Sequence, residues 1–262
     1  MNAKTRRNAW KNVLYPVAAI ALFLVIWEGA VHVFNVPKYL LPPPSEVFAQ
    51  IGSNAPTLIR HGGATVSIIL VAFAASATFG IALALAISFS PVFRRMVYPI
   101  VVFSQVIPKI ALAPLFVIWF GFGFAPKVLI AILVSFFAVV IQASVGFTSI
   151  RPEPIRVALS MGATRWQLFT KVRLPHALPN IFAGLKMAMA SSAIGAIVGE
   201  FIASQQGLGY LVLVANGEMN TSLAFAGMLL LSLVGIVLYF AVEVVERLMT
   251  GWHTAQRAQT AA

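Results

Sequence analysis

The stretch VLIAILVSFFAVVIQASVGFTSI (128–150) decides the fold, because its 23 residues include no charged side chain. About 20 predominantly apolar residues are enough to cross the hydrocarbon core of a bilayer. Lipid offers the backbone no hydrogen-bond partner, so a spanning segment must be a helix or a strand of a closed barrel. An unbroken apolar run differs from the alternating pattern of a barrel strand. The stretch therefore predicts a membrane-spanning helix.

The rest of the chain has the same character. Hydrophobic residues make up 60% of its 262 residues, against roughly 45–50% in soluble domains. We predict an all-α, polytopic membrane protein with about six transmembrane helices, folded as one domain over residues 1–262. The predicted spans are 13–34, 64–89, 96–120, 128–150, 181–204 and 223–242.

The basic residues predict the orientation of these spans, because Lys and Arg in short loops stay on the cytoplasmic side. With the N-terminus inside, the cytoplasmic segments contain 13 of the 18 basic residues. These are Lys4, Arg6, Arg7, Lys11, Arg94, Arg95, Arg151, Arg156, Arg165, Lys171, Arg173, Arg247 and Arg257. The predicted outer loops contain Lys38, Arg60 and Lys127. We therefore expect both termini in the cytoplasm, and we explain the net charge of +11 by topology rather than by a nucleic-acid partner.

Missing residue types exclude several functions. The chain contains no Cys and no Asp, which excludes Ser-His-Asp and Cys-His catalysis and thiolate or Asp metal ligands. It also lacks a Gly-x-x-x-x-Gly-Lys-Ser/Thr loop, so we expect ATP and Mg²⁺ to bind a partner rather than this chain. His32, His61, His176 and His253 are scattered without metal-ligand spacing, so no metal site is predicted.

The predicted cytoplasmic loop 151–180 has a helical pattern of its own. Its apolar residues recur at spacings of three and four, which places them on one side of a helix. They are Ile155, Ala158, Leu159, Gly162, Trp166 and Phe169. Pro154 suits the first turn of this helix, whereas Pro175 and Pro179 are expected to prevent its continuation. Gly162 in mid-helix predicts a sharp bend or a close approach of another backbone.

Two interpretations of this helix are open. In the first, it lies on anionic lipid, held by its basic side chains and Trp166. In the second, it projects into the cytoplasm and inserts Trp166 and Phe169 as apolar anchors into a groove of a partner protein. The amphipathic pattern alone fits both.

The same loop resembles the EAA signature of ABC-transporter permease subunits. The matching residues are Gly162, Ala163, Phe169, Val172, Leu174, Pro175, Pro179 and Gly184. In that family the segment forms a coupling helix that docks on a separate ATP-binding subunit. The resemblance implies that the segment 156–170 transmits ATP-driven closure to the spans. The residues that it implies for coupling are Arg156, Ala158, Leu159, Gly162, Ala163, Trp166, Phe169, Leu174 and Pro175.

One position departs from the family pattern. Arg156, Val157 and Ala158 stand where the family has Glu-Ala-Ala, so a basic residue replaces an acidic one at a position that faces the partner. Either the ATP-binding subunit presents a complementary acidic residue, or Glu153 takes over the role. The sequence leaves both possibilities open.

Three further stretches are similar to the nitrate, sulfonate and taurine branch of these permeases: LLPPPSEV (40–47), IPKIALAPLFVIWFGFG (107–123) and GLGYL (207–211). The resemblance implies the permease subunit of an ATP-driven importer that moves a small solute, such as an anion of this type, across the cytoplasmic (inner) membrane of a bacterium. It also implies a homodimer that works with an ABC ATP-binding subunit and a periplasmic or lipid-anchored solute-binding protein. The chain itself is then not an enzyme and holds no cofactor.

An ion-gradient-driven secondary transporter or channel is the alternative function. Such proteins often show inverted repeats and buried acidic ion sites. Neither is evident in the sequence.

Lys109 and Glu200 are the candidates for a substrate pathway, because an ionisable residue in a membrane costs at least about 2.5–3.5 kcal/mol and usually faces protein or water. Lys109 lies between Pro108 and Pro114, which remove helix hydrogen bonds, and a cation there suits an anionic solute. Alternatively, Lys109 pairs with Glu28 or Glu200, or caps carbonyls of a broken helix. Glu200 is predicted either at an outer gate or subunit interface, or as a helix-end carboxylate that reaches water.

Overall fold

The computed structural model describes residues 3–251, with side chains from Leu14 to Gly251. Every regular element in this range is helical, which confirms the all-α prediction. Two residues named above, His253 and Arg257, lie outside the described residues. So do the side chains of Lys4, Arg6, Arg7 and Lys11.

The described chain forms a series of α-helices with two short irregular turns. In chain order the helices are α1 (Ala3–Val33), α2 (Pro44–Ser53), α3 (Ala55–Phe89), α4 (Pro91–Phe103), α5 (Ala113–Phe120), α6 (Phe124–Thr148), α7 (Pro152–Ser160), α8 (Arg165–Leu168), α9 (Leu174–Ala203), α10 (Leu208–Gly217) and α11 (Thr221–Met249). A 3₁₀ turn (Lys109–Leu112) precedes α5, and a π turn (Phe169–Arg173) joins α8 to α9.

Five helical segments of the described chain are long and apolar enough to cross a membrane. They are Leu14–Val33, Ala55–Phe89, Phe124–Thr148, Arg165–Ala203 and Thr221–Met249. Lys109–Phe120 and Leu208–Gly217 are shorter apolar segments. Each predicted span overlaps one of the long segments, except the span 96–120.

The predicted span 96–120 is not one helix. α4 ends at Phe103, a turn covers 104–108, and the 3₁₀ turn and α5 follow. Pro108 has no N–H with which to continue a helix, whereas Pro114 is tolerated because it lies in the first turn of α5. The prediction of a continuous span is wrong because the backbone is broken before the second proline.

The predicted helix of the 151–180 loop is also divided, because Gly162 ends α7. Gly162 adopts φ +77°, and the N–H groups of Gly162 and Ala163 donate to the carbonyls of Leu159 and Ala158, each at 3.0 Å. This pair of bonds is the Schellman ending, which favours glycine at this position. The predicted bend is therefore present, but no atom lies within 4 Å of a Cβ built on Gly162, so there is no close approach.

Thr164 starts the next helix with a capping box. Its hydroxyl accepts from Gln167 N at 3.2 Å, and Gln167 Oε1 accepts from Thr164 N at 2.9 Å. The prediction of a single helix through 155–169 is wrong, since a helix stop and a helix start lie within it. We call α7, α8 and their connection (152–168) the elbow.

Pro175 and Pro179 do not end the helix, contrary to prediction. α8 continues through the π turn into α9, so that the chain is helical from Arg165 to Ala203. Leu174 N donates to Phe169 O across the wider turn, directly before Pro175. Local π turns of this kind accommodate the hydrogen bond that a proline removes. The elbow is therefore joined to α9 by unbroken helical chain.

α3, α6 and α9 pack together at the centre of the fold, and we call them the three-helix unit. A Cβ on Gly195 would lie 2.6 Å from Ala131 Cα, and one on Gly199 would lie 2.9 Å from Lys127 Cα. The Ser76 and Ser135 hydroxyls share a hydrogen bond of 2.7 Å between α3 and α6. Helices in lipid associate through such close packing at small residues and through hydrogen bonds between helices.

α1 and α11 lie at the periphery of this unit. Glu28 of α1 accepts hydrogen bonds from Ser45 N at 2.9 Å and from Ser45 Oγ at 2.7 Å, which attaches α1 to α2. Lys186 of α9 forms an ion pair of 2.6 Å with Glu246 of α11. The side chains of residues 14–33 in α1 are otherwise mostly exposed.

We expect Gly195→Ala to destabilise the folded protein by about 1–3 kcal/mol, because the added Cβ overpacks against Ala131. Gly235→Ala is the matched control, since nothing lies within 4 Å of a Cβ at that position of α11. That control should keep or raise the melting temperature through its higher helix propensity. Thermal unfolding of the purified variants in detergent measures both effects, and equal melting temperatures would contradict the close packing.

Candidate functional site

The elbow exposes an apolar surface outside the three-helix unit. Its members are Val157, Leu159, Met161 and Trp166. Met161 is 83% exposed and Trp166 is 72% exposed. Arg156 is exposed beside them, whereas Ala158 and Ala163 are half-buried. A rimmed apolar patch on a surface is typical of an interaction site.

Phe169 lies behind this surface and faces the membrane helices. Its ring centroid lies 5.5 Å from that of Phe89 in α3 and 6.2 Å from that of Phe147 in α6. Leu174 packs against the same cluster, and Pro175 is half-buried next to it. Phe169 therefore joins the elbow to the three-helix unit. The hypothesis that it is an anchor in a partner's groove is wrong, because its ring packs inside this chain.

The charged side chains around the elbow are mostly basic. Arg151, Arg156, Arg165 and Lys171 are exposed, and none of them has an ion pair within 4 Å in the described part of the chain. Glu153 lies in the first turn of α7, where the helix dipole favours a carboxylate. The charged side chains near the exposed apolar surface are thus four cations and one carboxylate, with a net positive charge.

Lys109 lies on the 3₁₀ turn, with its ammonium 4.9 Å from the centroid of the Phe137 ring in α6. This is a cation–π contact. Glu28 accepts from Ser45, and Glu200 has partners of its own. The alternative in which Lys109 pairs with either carboxylate is therefore wrong.

Glu200 is fully buried near the end of α9. Thr65 Oγ1 donates to Glu200 Oε1 and Gly209 N donates to Glu200 Oε2, each at 2.7 Å. Gly207 lies so close that a Cβ there would be 2.2 Å from Oε1. The alternative of a helix-end carboxylate that reaches water is wrong, because both oxygens have partners inside the protein.

His61 and Thr65 bind the start of α10 from α3. Gly207 N donates to His61 Nδ1 at 2.9 Å, and Leu208 N donates to Thr65 Oγ1 at 2.8 Å. Together with the bond from Gly209 N, these contacts satisfy backbone donors that a helix start leaves unpaired. We call the connected residues the Glu200 network, which comprises His61, Thr65, Glu200, Gly207 and Gly209.

Sequence reasoning missed the surroundings of this network. Lys127 was expected in an outer loop, but it is 5% exposed within α6, and its Nζ donates to Ser204 Oγ at 3.0 Å. The prediction is wrong because α6 begins at Phe124, one turn earlier than expected. His61 and Thr65 lie four residues apart on an apolar helix, and this spacing is a signal that could have identified the pair.

No group of three or more His, Cys, Asp or Glu side chains is placed to hold a metal ion among the residues that the structure describes. Two features of the described fold are candidates for function, the elbow and the Glu200 network. They lie at opposite ends of α9, since the elbow leads into its first residue and Glu200 lies in its last turn.

The sequence between the second half of α3 and the end of α11 matches a known family. The family model described as "Binding-protein-dependent transport system inner membrane component" covers residues 76–251, including the elbow and Glu200. The chain belongs to this family.

Similar proteins extend the match to almost the whole chain. A "Probable ABC transporter permease protein" of Haemophilus influenzae is 35% identical and covers 88% of this chain and 94% of its own. The "Formylaminopyrimidine transport permease protein ThiX" of Halalkalibacterium halodurans is 34% identical, with coverage of 93% and 97%. The "Taurine transport system permease protein TauC" of Escherichia coli is 31% identical, with coverage of 95% of each chain. This confirms the predicted resemblance, and the chain is the permease of an ABC importer.

Solved structures show the same fold. A chain of the MetNI methionine ABC transporter, in an inward-facing conformation, superposes with a TM-score of 0.63 at 18% identity, over 74% of this chain and 96% of that chain. A chain of a bacterial alginate ABC transporter superposes with a TM-score of 0.60 at 19% identity, over 92% and 98%. The arrangement of helices is thus that of an ABC transporter membrane subunit.

We expect Thr65→Val to destabilise this permease by about 1–3 kcal/mol, because Leu208 N and Glu200 Oε1 lose a partner in a buried site while the side-chain volume is unchanged. Thr78→Val on the same helix is the control, since the exposed Thr78 hydroxyl bonds the Ala74 carbonyl of its own helix. Melting temperatures in detergent measure the difference. If both variants unfold at the same temperature, the network does not hold α10.

Proposed function

We propose that this permease works as a homodimer in the cytoplasmic membrane of a bacterium, with an ATP-binding subunit docked on each elbow and a solute-binding protein at the opposite face. Both termini and the elbow then face the cytoplasm. ATP and Mg²⁺ bind the ATP-binding subunit, and this chain carries out no catalysis. The exposed apolar surface of the elbow carries the proposal, and the excess of Lys and Arg on the same predicted side supports its orientation.

The elbow suits a docking surface for a protein groove. Met161 and Trp166 are large, exposed and close to the turn at Gly162, so they are the first side chains that an approaching partner meets. Large aromatic and apolar side chains that fill pockets supply most of the binding energy of an interface. The Schellman ending and the capping box give the turn a defined backbone, which lowers the ordering cost on binding.

Phe169 provides the mechanical connection from this surface to the membrane. The ring centroid of Trp166 lies 5.9 Å from that of Phe169, which contacts Phe89 of α3 and Phe147 of α6. α8 is also continuous with α9 through the π turn. Closely packed interiors transmit strain, so a displacement of the elbow moves all three helices of the three-helix unit.

Arg156 pairs with a carboxylate of the ATP-binding subunit. Its exposed guanidinium has no ion pair within 4 Å in the described chain, and the neighbouring elbow cations add to its field. Glu153 lies one turn earlier, at the N-terminal end of α7, where the helix dipole already favours it. These positions support a complementary acidic groove on the partner over a role for Glu153.

The transported solute is small, with an anion of the nitrate, sulfonate or taurine type as the first candidate. Relatives of this chain are named for taurine and formylaminopyrimidine transport. Lys109 lines the pathway at the break between α4 and α5, where Pro108 and Pro114 interrupt regular helix. Its ammonium rests on the Phe137 ring rather than on a carboxylate, which leaves its charge available to an anion.

We expect Val157→Asp to abolish co-purification of the permease with its ATP-binding subunit, because a charge then replaces an exposed apolar side chain of the proposed docking surface. Val92→Asp is the matched control, since Val92 is similarly exposed at the start of α4 on the same predicted side. Co-purification and stimulated ATP hydrolysis are measured for both. Normal binding of the Val157→Asp variant, or equal loss with Val92→Asp, would show that the elbow is not the docking site.

A further inference from the structure

A polar cleft opens beside the Glu200 network, between the first turns of α3, the start of α6 and the end of α9. Its volume is about 630 Å³. Its polar wall consists of Arg60, Ser67, Lys127, Gln205 and Gln206. In the proposed orientation the cleft opens at the outer face, where solute arrives.

The wall of this cleft is rich in donors and positive charge. Arginine, lysine, glutamine and serine all carry N–H or O–H donors, and no carboxylate is among the described residues that line the cleft. Lys127 is 5% exposed, and one of its three N–H donors bonds Ser204 Oγ. Arg60 is exposed and has no ion pair within 4 Å in residues 14–251.

Glu200 compensates only part of this charge. It forms no ion pair within 4 Å with Lys127 in the described chain, its oxygens are bound by Thr65 and Gly209, and it does not line the cleft. Arg60 is therefore the cation of the wall that lacks a counter-charge. An anion in the cleft supplies that charge and accepts a hydrogen bond from the side-chain amide of Gln206, while Gln205 lies at the exposed edge of the cleft.

We infer that this cleft binds a small oxyanion, such as a carboxylate or a sulfonate, before it enters the pathway. Guanidinium and amide groups match the planar, multidentate geometry of oxyanions. The cleft is separate from Lys109, because Lys109 contacts Phe137, which lies about 15 Å farther along α6 than Lys127 by helix rise. The inference rests on the proposed function for the side of the membrane and the direction of movement.

The absence of cysteine from the chain allows a direct test in the full-length permease. Gln205→Cys places a single thiol in the cleft, and Phe34→Cys places a control thiol at a site that is 77% exposed between α1 and α2. In lipid nanodiscs each thiol is labelled with an anionic sulfonatoethyl or a cationic trimethylammonioethyl methanethiosulfonate. We expect the ratio of the anionic to the cationic labelling rate to be at least about threefold higher at Gln205→Cys than at Phe34→Cys. One nearby uncompensated positive charge produces an effect of about this size at physiological ionic strength.

Removing the charge of Arg60 should abolish this preference. Arg60→Gln in the Gln205→Cys background is expected to lower the ratio about threefold. Lys38→Gln is the matched control, because Lys38 is a cation of the same predicted face that pairs with Glu46. It should leave the ratio unchanged.

Occupancy is tested by protection of the same thiol. Methanesulfonate at millimolar concentration should slow labelling of Gln205→Cys, whereas the uncharged isostere dimethyl sulfone should not, and Arg60→Gln should remove the protection. Equal labelling ratios at the two thiols, equal protection by both probes, or protection by neither would overturn the inference. Protection by a purified solute-binding protein alone would identify a protein-docking surface and would overturn it too.

The outcome of this test does not depend on whether an ATP-binding subunit docks on the elbow. Labelling and protection of the isolated permease need no ATP-binding subunit, so loss of docking in other variants leaves them unchanged. Labelling of Gln205→Cys in intact cells by the membrane-impermeant reagents also tests on which side of the membrane the cleft opens. If the thiol reacts only in inverted vesicles, the proposed orientation is wrong even when methanesulfonate protects it.

Discussion

The close approach of α9 to α6 is the constraint on which the rest of the structure depends. Helices in lipid gain no hydrophobic stabilisation from one another, so their association rests on packing and on hydrogen bonds between them. Gly195 and Gly199 lie against the backbone of α6, and side chains at these positions would separate the two helices. The bond between Ser76 and Ser135 adds α3 to the same unit. The elbow and the Glu200 network are each attached to this unit, so neither keeps its geometry without it.

The two ends of α9 give the permease a surface at one side of the membrane and a polar network at the other. At the first end, Phe169 packs against α3 and α6, and the π turn continues the elbow into α9. At the second end, the buried Glu200 and its partners Thr65 and His61 hold the start of α10. In the proposed complex, an ATP-binding subunit that moves the elbow acts on helices that also carry the Glu200 network. The connection needs no hinge within α9, because the helix is continuous from Leu174 to Ala203.

The membrane class was predictable because lipid leaves the backbone few conformations, and the apolar stretch 128–150 lies almost entirely within α6 (Phe124–Thr148). Local signals were harder to interpret. Gly162 is compatible with either a bend within a helix or the end of a helix, and its positive φ shows that the helix ends there. Pro175 was expected to stop a helix, but a π turn before it makes continuation possible. The spacing of His61 and Thr65 is a signal for that pair, but their contact with Glu200 was not predictable, because His61 and Glu200 are distant in sequence and are brought together only by the packing of α3 on α9.

The rigid attachment of the elbow to the three-helix unit is the central claim of this account. The most direct test is a distance within one chain, measured by double electron–electron resonance between spin labels at Ser160→Cys in α7 and Ile194→Cys in α9, both exposed sites in a cysteine-free chain. Labelled permease is diluted with unlabelled permease, assembled with its ATP-binding subunit, and measured with and without ATP. We predict the same distance distribution in both states, because the elbow moves together with α9. A shift of the mean distance by more than about one helical turn, roughly 5 Å, would show that the elbow swings independently and would contradict the account.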